Sequence, residues 1–539
     1  MKNKLLLLSV TLLATCALSA CQKANSKDSS VKKAAVSQKV DTSLYRNFYE
    51  IFTSSFADSN HDGEGDLNGV TQHLDYLNTG KSNSTTDLKV QGLWMTPIFA
   101  SPSYHGYDVT NYEEINPKFG TMADFENLIA QAKKRGIAVI LDMPFNHTAT
   151  DNVWFQKALA GDKKYVAYYN WSDTAKEGYS LASNGKYYES EFDKSMPDLN
   201  LANPEVKKEI AKITKFWLDK GVSGFRLDAV GFYFSNDDKK TTAFTKWLTD
   251  TVKKQNPKAY LVGEVFSTAS AIDDIYPSGI DSCFFLFFFL IKFFFYFFFA
   301  FPHALQSSSS PINSALVLGE GSLFGQQIEA WDQEIHADNP KAIDAPFLSN
   351  HDTDRSATLL SSLSMQKMAA QTYLLMPGNP FIYYGEELGL TGSGIDQNKR
   401  LPMPWNAAGT DSPKADISVP GATEIATTDG GSVAQQEANP NSLLNWYKKI
   451  LRVKAKYPEI ATDRLKNISV SEESLSVINY GKDLTIINNF SDTENVTMKL
   501  PKSVVGTKIT DQLSVSSSQA KLTDGKLTIP AYSTVILKK

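Results

Sequence analysis

The chain is poor in cysteine, with three in 539 residues. Cys16 lies inside an apolar leader, Cys21 closes it, and Cys283 is left alone in the body. No intrachain disulfide framework and no zinc ribbon can be assembled from that set. A basic excess is missing too: 54 Lys and Arg face 59 Asp and Glu, for a formal charge of −5. A mildly acidic chain has no attraction for phosphate backbones, so no nucleic-acid partner is expected. Apolar residues are not scarce, and 42% hydrophobic against 21% charged excludes a wholly disordered chain. At about 150 residues per domain, the length suits three to four domains or one large barrel with additions.

The amino terminus sets an expected compartment. Lys2 and Lys4 precede a leucine-rich run from Leu5 to about Leu18, the charged and apolar parts of a secretory signal. The run ends Leu18-Ser19-Ala20-Cys21, which looks like a bacterial lipobox with Cys21 as the lipidated residue. Residues 1–20 are thus expected to be a signal peptide and 21–43 a flexible tether rich in Ser, Lys and Ala. The expected product is extracytoplasmic, anchored to the cell membrane through lipid, and monomeric.

From Tyr49 short apolar runs alternate with amphipathic stretches, the pattern of parallel α/β architecture. The runs are Tyr49–Phe56, Val90–Phe99, Ile137–Phe145, Gly224–Val230, Tyr260–Phe266, Ala345–Asn350 and Phe381–Tyr384. Helical stretches at Met122–Arg135, Glu205–Lys220, Thr241–Lys254 and Met365–Leu375 fit between them. With a damaged sixth strand near Ser282 the runs number eight, and a (β/α)8 TIM barrel of the α/β class follows. Residues 147–200 are long, aromatic and polar, which predicts a small domain inserted after strand 3 and splits the barrel into 44–146 and 201–458. Beyond Pro458, alternation at Leu475–Tyr480 and Leu484–Asn489 predicts a C-terminal antiparallel β-sandwich over 459–539.

One segment breaks the pattern. Residues 284–301 hold twelve of the 31 phenylalanines, with Lys292 as the charged interruption. Its length approaches that of a membrane span. A span here would tear a stave from a closed sheet, so a homopolymer or frame disturbance in the gene is the favoured reading. A chain made as written is expected to fold poorly or aggregate, and normal soluble yield would refute this.

Four motifs end strand-like runs, where barrel enzymes place working groups. They are Asp142-Met-Pro-Phe-Asn146-His147, Gly224-Phe-Arg226-Leu-Asp228-Ala-Val, Gly263-Glu264-Val265 and Phe347-Leu-Ser-Asn-His351-Asp352. Side chains two apart on a strand share a face, so Arg226 and Asp228 point together into the barrel mouth. With these motifs the chain resembles the alpha-amylase family, glycoside hydrolase family 13, from Tyr45 to the C-terminal domain apart from the phenylalanine tract. Gly92–Phe99, His105-Gly-Tyr107-Asp108, Met196–Asn200 and Tyr384–Gly389 carry further matches. The resemblance implies Asp228 as nucleophile, Glu264 as general acid/base and Asp352 as transition-state stabiliser. It implies that Tyr107, Asp108, His147, Arg226 and His351 line the subsite of the reacting sugar. Retaining cleavage needs a nucleophilic carboxylate and a protonated partner about 5–5.5 Å away. Nearby carboxylates favour a neutral Glu264, while Arg226 favours a charged Asp228.

A second constellation is Asp58-Ser-Asn60-His-Asp62-Gly-Glu64-Gly-Asp66. Oxygen ligands at alternate positions with turn glycines suit a hard cation such as Ca2+. Position 12 is Gly69, so this is no EF-hand, and similar loops in the family bind a structural calcium with Glu64 giving its backbone carbonyl. His61, His73 and His336 are isolated and read as structural, and Trp154 and Trp171 as core aromatics.

Local features bear on specificity. Ala229 follows the nucleophile where relatives acting on α-1,6 bonds often carry valine, favouring α-1,4 cleavage. Gly231-Phe232 stand where many α-amylases carry lysine and histidine. Met196–Asn200 and Asp396–Trp405 resemble a group intermediate between oligo-1,6-glucosidases and neopullulanases. The expected function is hydrolysis of starch-derived maltodextrins, an α-glucan oligosaccharide substrate. Glucanotransferase or α-1,6 activity at the same site is the alternative, and a non-catalytic carbohydrate-binding lipoprotein the second.

Overall fold

The computed structural model describes residues 42–235, 237–266, 274–286, 310–360, 362–415 and 418–539. Cys21 and the expected signal and tether up to residue 41 lie outside them, as do residues 287–309 of the phenylalanine-rich region.

Seven parallel strands form the central sheet: β1 (Phe48–Ile51), β2 (Gly92–Met95), β3 (Ala138–Met143), β4 (Gly224–Leu227), β5 (Tyr260–Phe266), β6 (Ser282–Leu286) and β7 (Phe381–Tyr383). They hydrogen-bond in the order β6-β5-β4-β3-β2-β1-β7. The expected strand Ala345–Asn350 is not regular. It contributes one parallel bridge, Phe347 to Phe381, beside β7. On its other flank Ser282 Oγ donates to the Ile343 carbonyl at 2.5 Å, so this segment fills the gap between β7 and β6. The barrel therefore has its eight staves, one of them irregular. Pro346 and the Asn350–Thr353 turn explain the irregularity, because a proline lacks the ladder donor and the turn ends the run early.

The sixth strand is not damaged within the described residues. Val262 to Phe266 pair in register with Ser282 to Leu286. Phe284, first of the tract, is buried with its ring against Trp94, Phe347 and Phe381. No helix of the described residues is long and apolar enough to cross a membrane.

Strand periodicity decides what lines the barrel. Phe48, Trp94, Ile140, Tyr260, Val262, Phe284, Phe347 and Phe381 form one buried cluster inside it. A buried side chain of this size stabilises by about 1.5–3 kcal/mol. Two residues further along each strand, on the same face, stand Glu50, Asp142 and Glu264, with Arg226 in register between Asp142 and Val262. The interior thus changes from apolar to ionisable at the carboxyl ends of the strands. The helices outside follow the expected runs closely: Met122–Lys134, Pro204–Asp219, Asp238–Gln255 and Leu363–Leu374. Thr121 caps the first of these in a capping box with Asp124, and Pro204 starts the second at its first turn.

Between β3 and the helix Pro204–Asp219, the chain builds two short helices and a three-stranded antiparallel sheet from Trp171–Ser172, Tyr179–Leu181 and Tyr187–Glu189. His147 bridges to Asp198 across this segment's ends. The C-terminal region has a five-stranded and a three-stranded antiparallel sheet. Leu475, Val477, Ile487 and Val535 of the first pack with Met498, Leu527 and Ile529 of the second, so the two sheets share one core. Gln371 Nε2 to Thr534 Oγ1 (2.9 Å) and Tyr480 OH to the Leu375 carbonyl (3.0 Å) tie this region to the barrel helices.

Candidate active site

Arg226 is the centre of the site. Its Nη1 donates to Asp228 Oδ1 at 2.6 Å and to Asp142 Oδ1 at 2.8 Å, and Nη2 lies 2.5 Å from Glu264 Oε1. Asp228 is thus hydrogen-bonded to one terminal nitrogen of the guanidinium, and Glu264 is ion-paired with the other. Arg226 also lies over the Trp94 ring at 5.2 Å. Ala229, directly after Asp228, adopts φ 51, a left-handed conformation costing about 1–2 kcal/mol for a residue with a Cβ. That turn aims its N–H at Glu264 Oε2, 3.0 Å away.

Tyr107 joins this cluster to a second one. Its hydroxyl donates to Asp142 Oδ2 at 2.9 Å and meets His351 Nε2 at 2.7 Å, and its ring stacks on the imidazole at 5.6 Å. His351 Nε2 also faces Asp352 Oδ2 at 3.0 Å, and its Nδ1 lies 2.6 Å from Glu50 Oε1. Arg400 Nη2 holds the other Asp352 oxygen at 2.9 Å while its Nε donates to the His351 carbonyl. Asp352 is the most open of the three acids, its side chain 33% exposed against 11% for Asp228 and 4% for Glu264.

The electrostatics follow from burial and from those partners. Burial raises Asp228; Arg226 opposes it, and Glu264 and Asp142 add to it. Burial also raises Glu264, with Arg226 opposing and Asp352 adding. Both carboxyls are displaced upward and retain a proton more readily than free carboxyls do. Asp352 goes the other way: burial would raise it, but His351 and Arg400 outweigh that and hold it far below the usual carboxylate range. Burial disfavours a charged His351, yet Asp352 and then Glu50 push it up to about 10. His147 lacks such partners, and burial lowers it to about 4, leaving a neutral ring that packs on Phe192 at 5.4 Å.

Six of the eight expected catalytic and subsite residues meet in this cluster, namely Asp228, Glu264, Asp352, Arg226, His351 and Tyr107, while His147 lies in the loop after β3 with its ring on Phe192. Asp108 is engaged elsewhere. It is buried, and its Oδ1 accepts the hydroxyls of Ser101 (2.6 Å) and Ser103, bracing the loop that carries Tyr107. Three members escaped sequence reading. Glu50 interrupts an apolar strand two residues after Phe48, which was its available signal. Asp142 opens a quoted motif without a role, and Arg400 sits in the Asp396–Trp405 stretch.

The Asp58–Asp66 loop is a chain of side-chain-to-backbone turns. Asp58 accepts the N–H of His61 (2.6 Å) and Gly63 (2.8 Å), Asn60 that of Asp62 (2.8 Å), and Asp62 that of Glu64 (2.8 Å). Carboxylate oxygens carry further lone pairs, so these acceptors fit a hard cation while keeping those bonds. The Glu64 side chain pairs with Lys118 at 2.9 Å, which leaves its backbone carbonyl as its contribution. Asp66 is the most committed of the five: it accepts from Ser59 N and Oγ and caps the helix Leu67–Gln72 through Gly69 N. Among the described residues no group of three or more His, Cys, Asp or Glu is placed to hold a metal ion, so a cation here would rely on Asn60 and on carbonyl oxygens.

Carboxyls delivered by separate barrel strands, gathered at their carboxyl ends around one guanidinium, are the equipment of a barrel glycoside hydrolase. Residues 50–463 match the family described as alpha amylase, catalytic domain, and residues 480–536 match the alpha-amylase SusG C-terminal domain. The chain is 36% identical to alpha-amylase 3 of Dictyoglomus thermophilum over 507 residues, 92% of this chain and 93% of that one. Its fold matches Eubacterium rectale Amy13B with a TM-score of 0.83 at 35% identity, over 93% and 96% of the two chains. An alpha-amylase from H. orenii matches at 0.76 and 32% identity, over 92% and 99%. The chain belongs to the alpha-amylase family, glycoside hydrolase family 13, and is a glycosidase. Relatives also matched include a trehalose-6-phosphate hydrolase, a glucan 1,6-alpha-glucosidase and a 4-alpha-glucanotransferase, so membership leaves the bond and acceptor open.

Proposed function

We propose that this chain hydrolyses α-1,4-glucosidic bonds in maltodextrins with retention of anomeric configuration. In this reading Asp228 attacks the anomeric carbon, Glu264 protonates the leaving oxygen and then deprotonates water, and Asp352 stabilises the positive charge that develops between those steps. The observation that carries it is the pairing of Asp228 and Glu264 on one guanidinium. Arg226 aims the nucleophile's oxygen and favours its ionised form against the burial that raises it, while burial and the nearby Asp352 favour a proton on Glu264. His147, His351, Tyr107 and Asp108 serve the reacting sugar, the last through its loop. Transfer to a sugar acceptor would use the same covalent intermediate, so the discriminating experiment follows products of maltotriose over time. Glucose and maltose as the first products, released as the α-anomer, are expected. Maltotetraose or longer oligomers appearing first would reassign the enzyme to transfer, and β-anomer release would remove the retaining mechanism.

We also propose a structural Ca2+ in the Asp58–Asp66 loop, held by Asn60, the Glu64 carbonyl and no more than two of Asp58, Asp62 and Asp66 at once. When bound it would neutralise the acidic loop between β1 and the helix Leu67–Gln72. Chelator is expected to lower the melting temperature by several degrees, about 3–5 kcal/mol for a chain of this size, with recovery on adding calcium and not magnesium. An unchanged melt would remove the assignment. Lipidation at Cys21 and an extracytoplasmic, membrane-anchored location complete the proposal. Fractionation should find the chain with membranes and find Cys21→Ser released; a Cys21→Ser chain that stays membrane-bound would contradict the anchor.

A further inference from the structure

We propose that Glu50 is a positioning residue whose buried carboxylate fixes the orientation and charge of His351 and, through that ring, the aim of Asp352. The inference rests on the role given to Asp352 above. Glu50 lies on β1, on the face that Phe48 turns into the barrel, and its side chain is 2% exposed. Its Oε1 is 2.6 Å from His351 Nδ1 and 3.4 Å from the His351 backbone N–H. The opposite ring nitrogen faces two acceptors, Asp352 Oδ2 at 3.0 Å and the Tyr107 oxygen at 2.7 Å.

A neutral imidazole has one N–H and cannot donate from both sides, whereas the imidazolium donates from both. Tyr107's own proton goes to Asp142, so its oxygen is an acceptor toward the ring. Acceptors on both edges therefore call for a charged ring. Packing removes its freedom to turn: Tyr107 stacks on it at 5.6 Å, and Trp94 meets it edge-on at 5.7 Å. The charged and titratable groups around it are Glu50 from β1, Asp352 from its own turn, Tyr107 from the loop after β2, and Arg400, which holds Asp352 and the His351 carbonyl. Across the site Glu264 and Arg226 complete the set. Burial raises Glu50 and the ring's charge pulls it back, as expected of a carboxyl sharing a short hydrogen bond with a cation. A charged ring fixed in this way holds Asp352 by ion pairing at 3.0 Å while its Nε2 meets Tyr107.

Glu50→Gln keeps the shape and an acceptor oxygen but removes the charge. On the full chain, with histidine ring signals followed by NMR and His351 assigned by its loss in His351→Gln, the wild-type ring is expected to remain protonated through pH 9. In Glu50→Gln it should titrate lower by about one unit or more. Turnover of maltotriose should fall by about tenfold or more with KM within about threefold, as for buried acids that orient a working imidazole. A wild-type His351 that titrates near pH 6.5 would overturn the proposal even if the variant did not fold. So would a folded Glu50→Gln with kcat within twofold of wild type and His351 unshifted. Asp352→Asn separates the two levels. If it stays active, the functional reading falls and this inference with it; if it is inactive while Glu50→Gln behaves as wild type, only the role of Glu50 falls.

Discussion

Asp228→Asn should lower maltotriose cleavage by at least about 10^4-fold while leaving the fold intact. The amide is isosteric, and its oxygen can still accept from Arg226 Nη1, which lies 2.6 Å from Asp228 Oδ1. What it loses is the lone-pair nucleophile that forms the glycosyl-enzyme. One acidic group fewer also relieves crowding around a single guanidinium, so the melting temperature should hold or rise slightly. Reducing-sugar release together with a thermal melt checks both halves. Activity within tenfold of wild type would mean that another group attacks, or that the chemistry does not pass through a covalent intermediate on this residue.

Arg226→Met should cost both activity and stability. Asp142, Asp228 and Glu264 each lie within 2.8 Å of the guanidinium, and all three carboxyls are buried. Removing one partner of a buried ionic cluster costs about 3–5 kcal/mol, because charges are left behind without compensation. The sign of the pH dependence is fixed. Burial already raises Asp228 and Glu264, and without the opposing cation they rise further above their unfolded values of about 4, so the folded variant binds still more protons than the unfolded chain. Stability is then lost progressively as pH rises from about 4 toward the folded pKa values. Urea melts at pH 5 and pH 8 should show the deficit against wild type growing at the higher pH. A deficit that is constant, or smaller at pH 8, would show that the guanidinium does not hold these groups ionised.

Local regularities were legible and long-range partnerships were not. Tyr260–Phe266 ends with its apolar run, and Leu475–Tyr480 and Leu484–Asn489 end where period-two alternation ends, since burial on one or both faces dictates the residues themselves. Tyr49–Phe56 was read too long, because its apolar run continues into a helical turn, Thr53–Phe56, that is buried for a different reason. Ala345–Asn350 looks like a strand in composition but makes one bridge, its ladder interrupted by Pro346 and the turn that presents His351 and Asp352. Phe284 was grouped with the tract that follows it, yet its burial against Trp94 makes it a normal stave residue; composition alone cannot mark where a stave stops.

The site shows the same division. Asp228 and Glu264 were readable because each ends a strand within a short motif. Glu50 meets His351 across 301 residues of sequence, and Arg400 meets Asp352 across 48. Only barrel closure brings such pairs together, and neither carries a local pattern. Asp108 shows the converse: a residue singled out by its motif whose carboxylate braces two serines beneath Tyr107.

Covalent capture reads the convergence of the three acids directly. An activated α-glucosyl fluoride with slow turnover, followed by digestion and peptide mass mapping, should label the peptide holding Gly224–Val230 at Asp228. The label should persist longer in Glu264→Gln, where no base activates water. Labelling at Glu264, at Asp352 or outside the Arg226 cluster, with the protein folded and active, would contradict the assignment of these acids around one anomeric carbon.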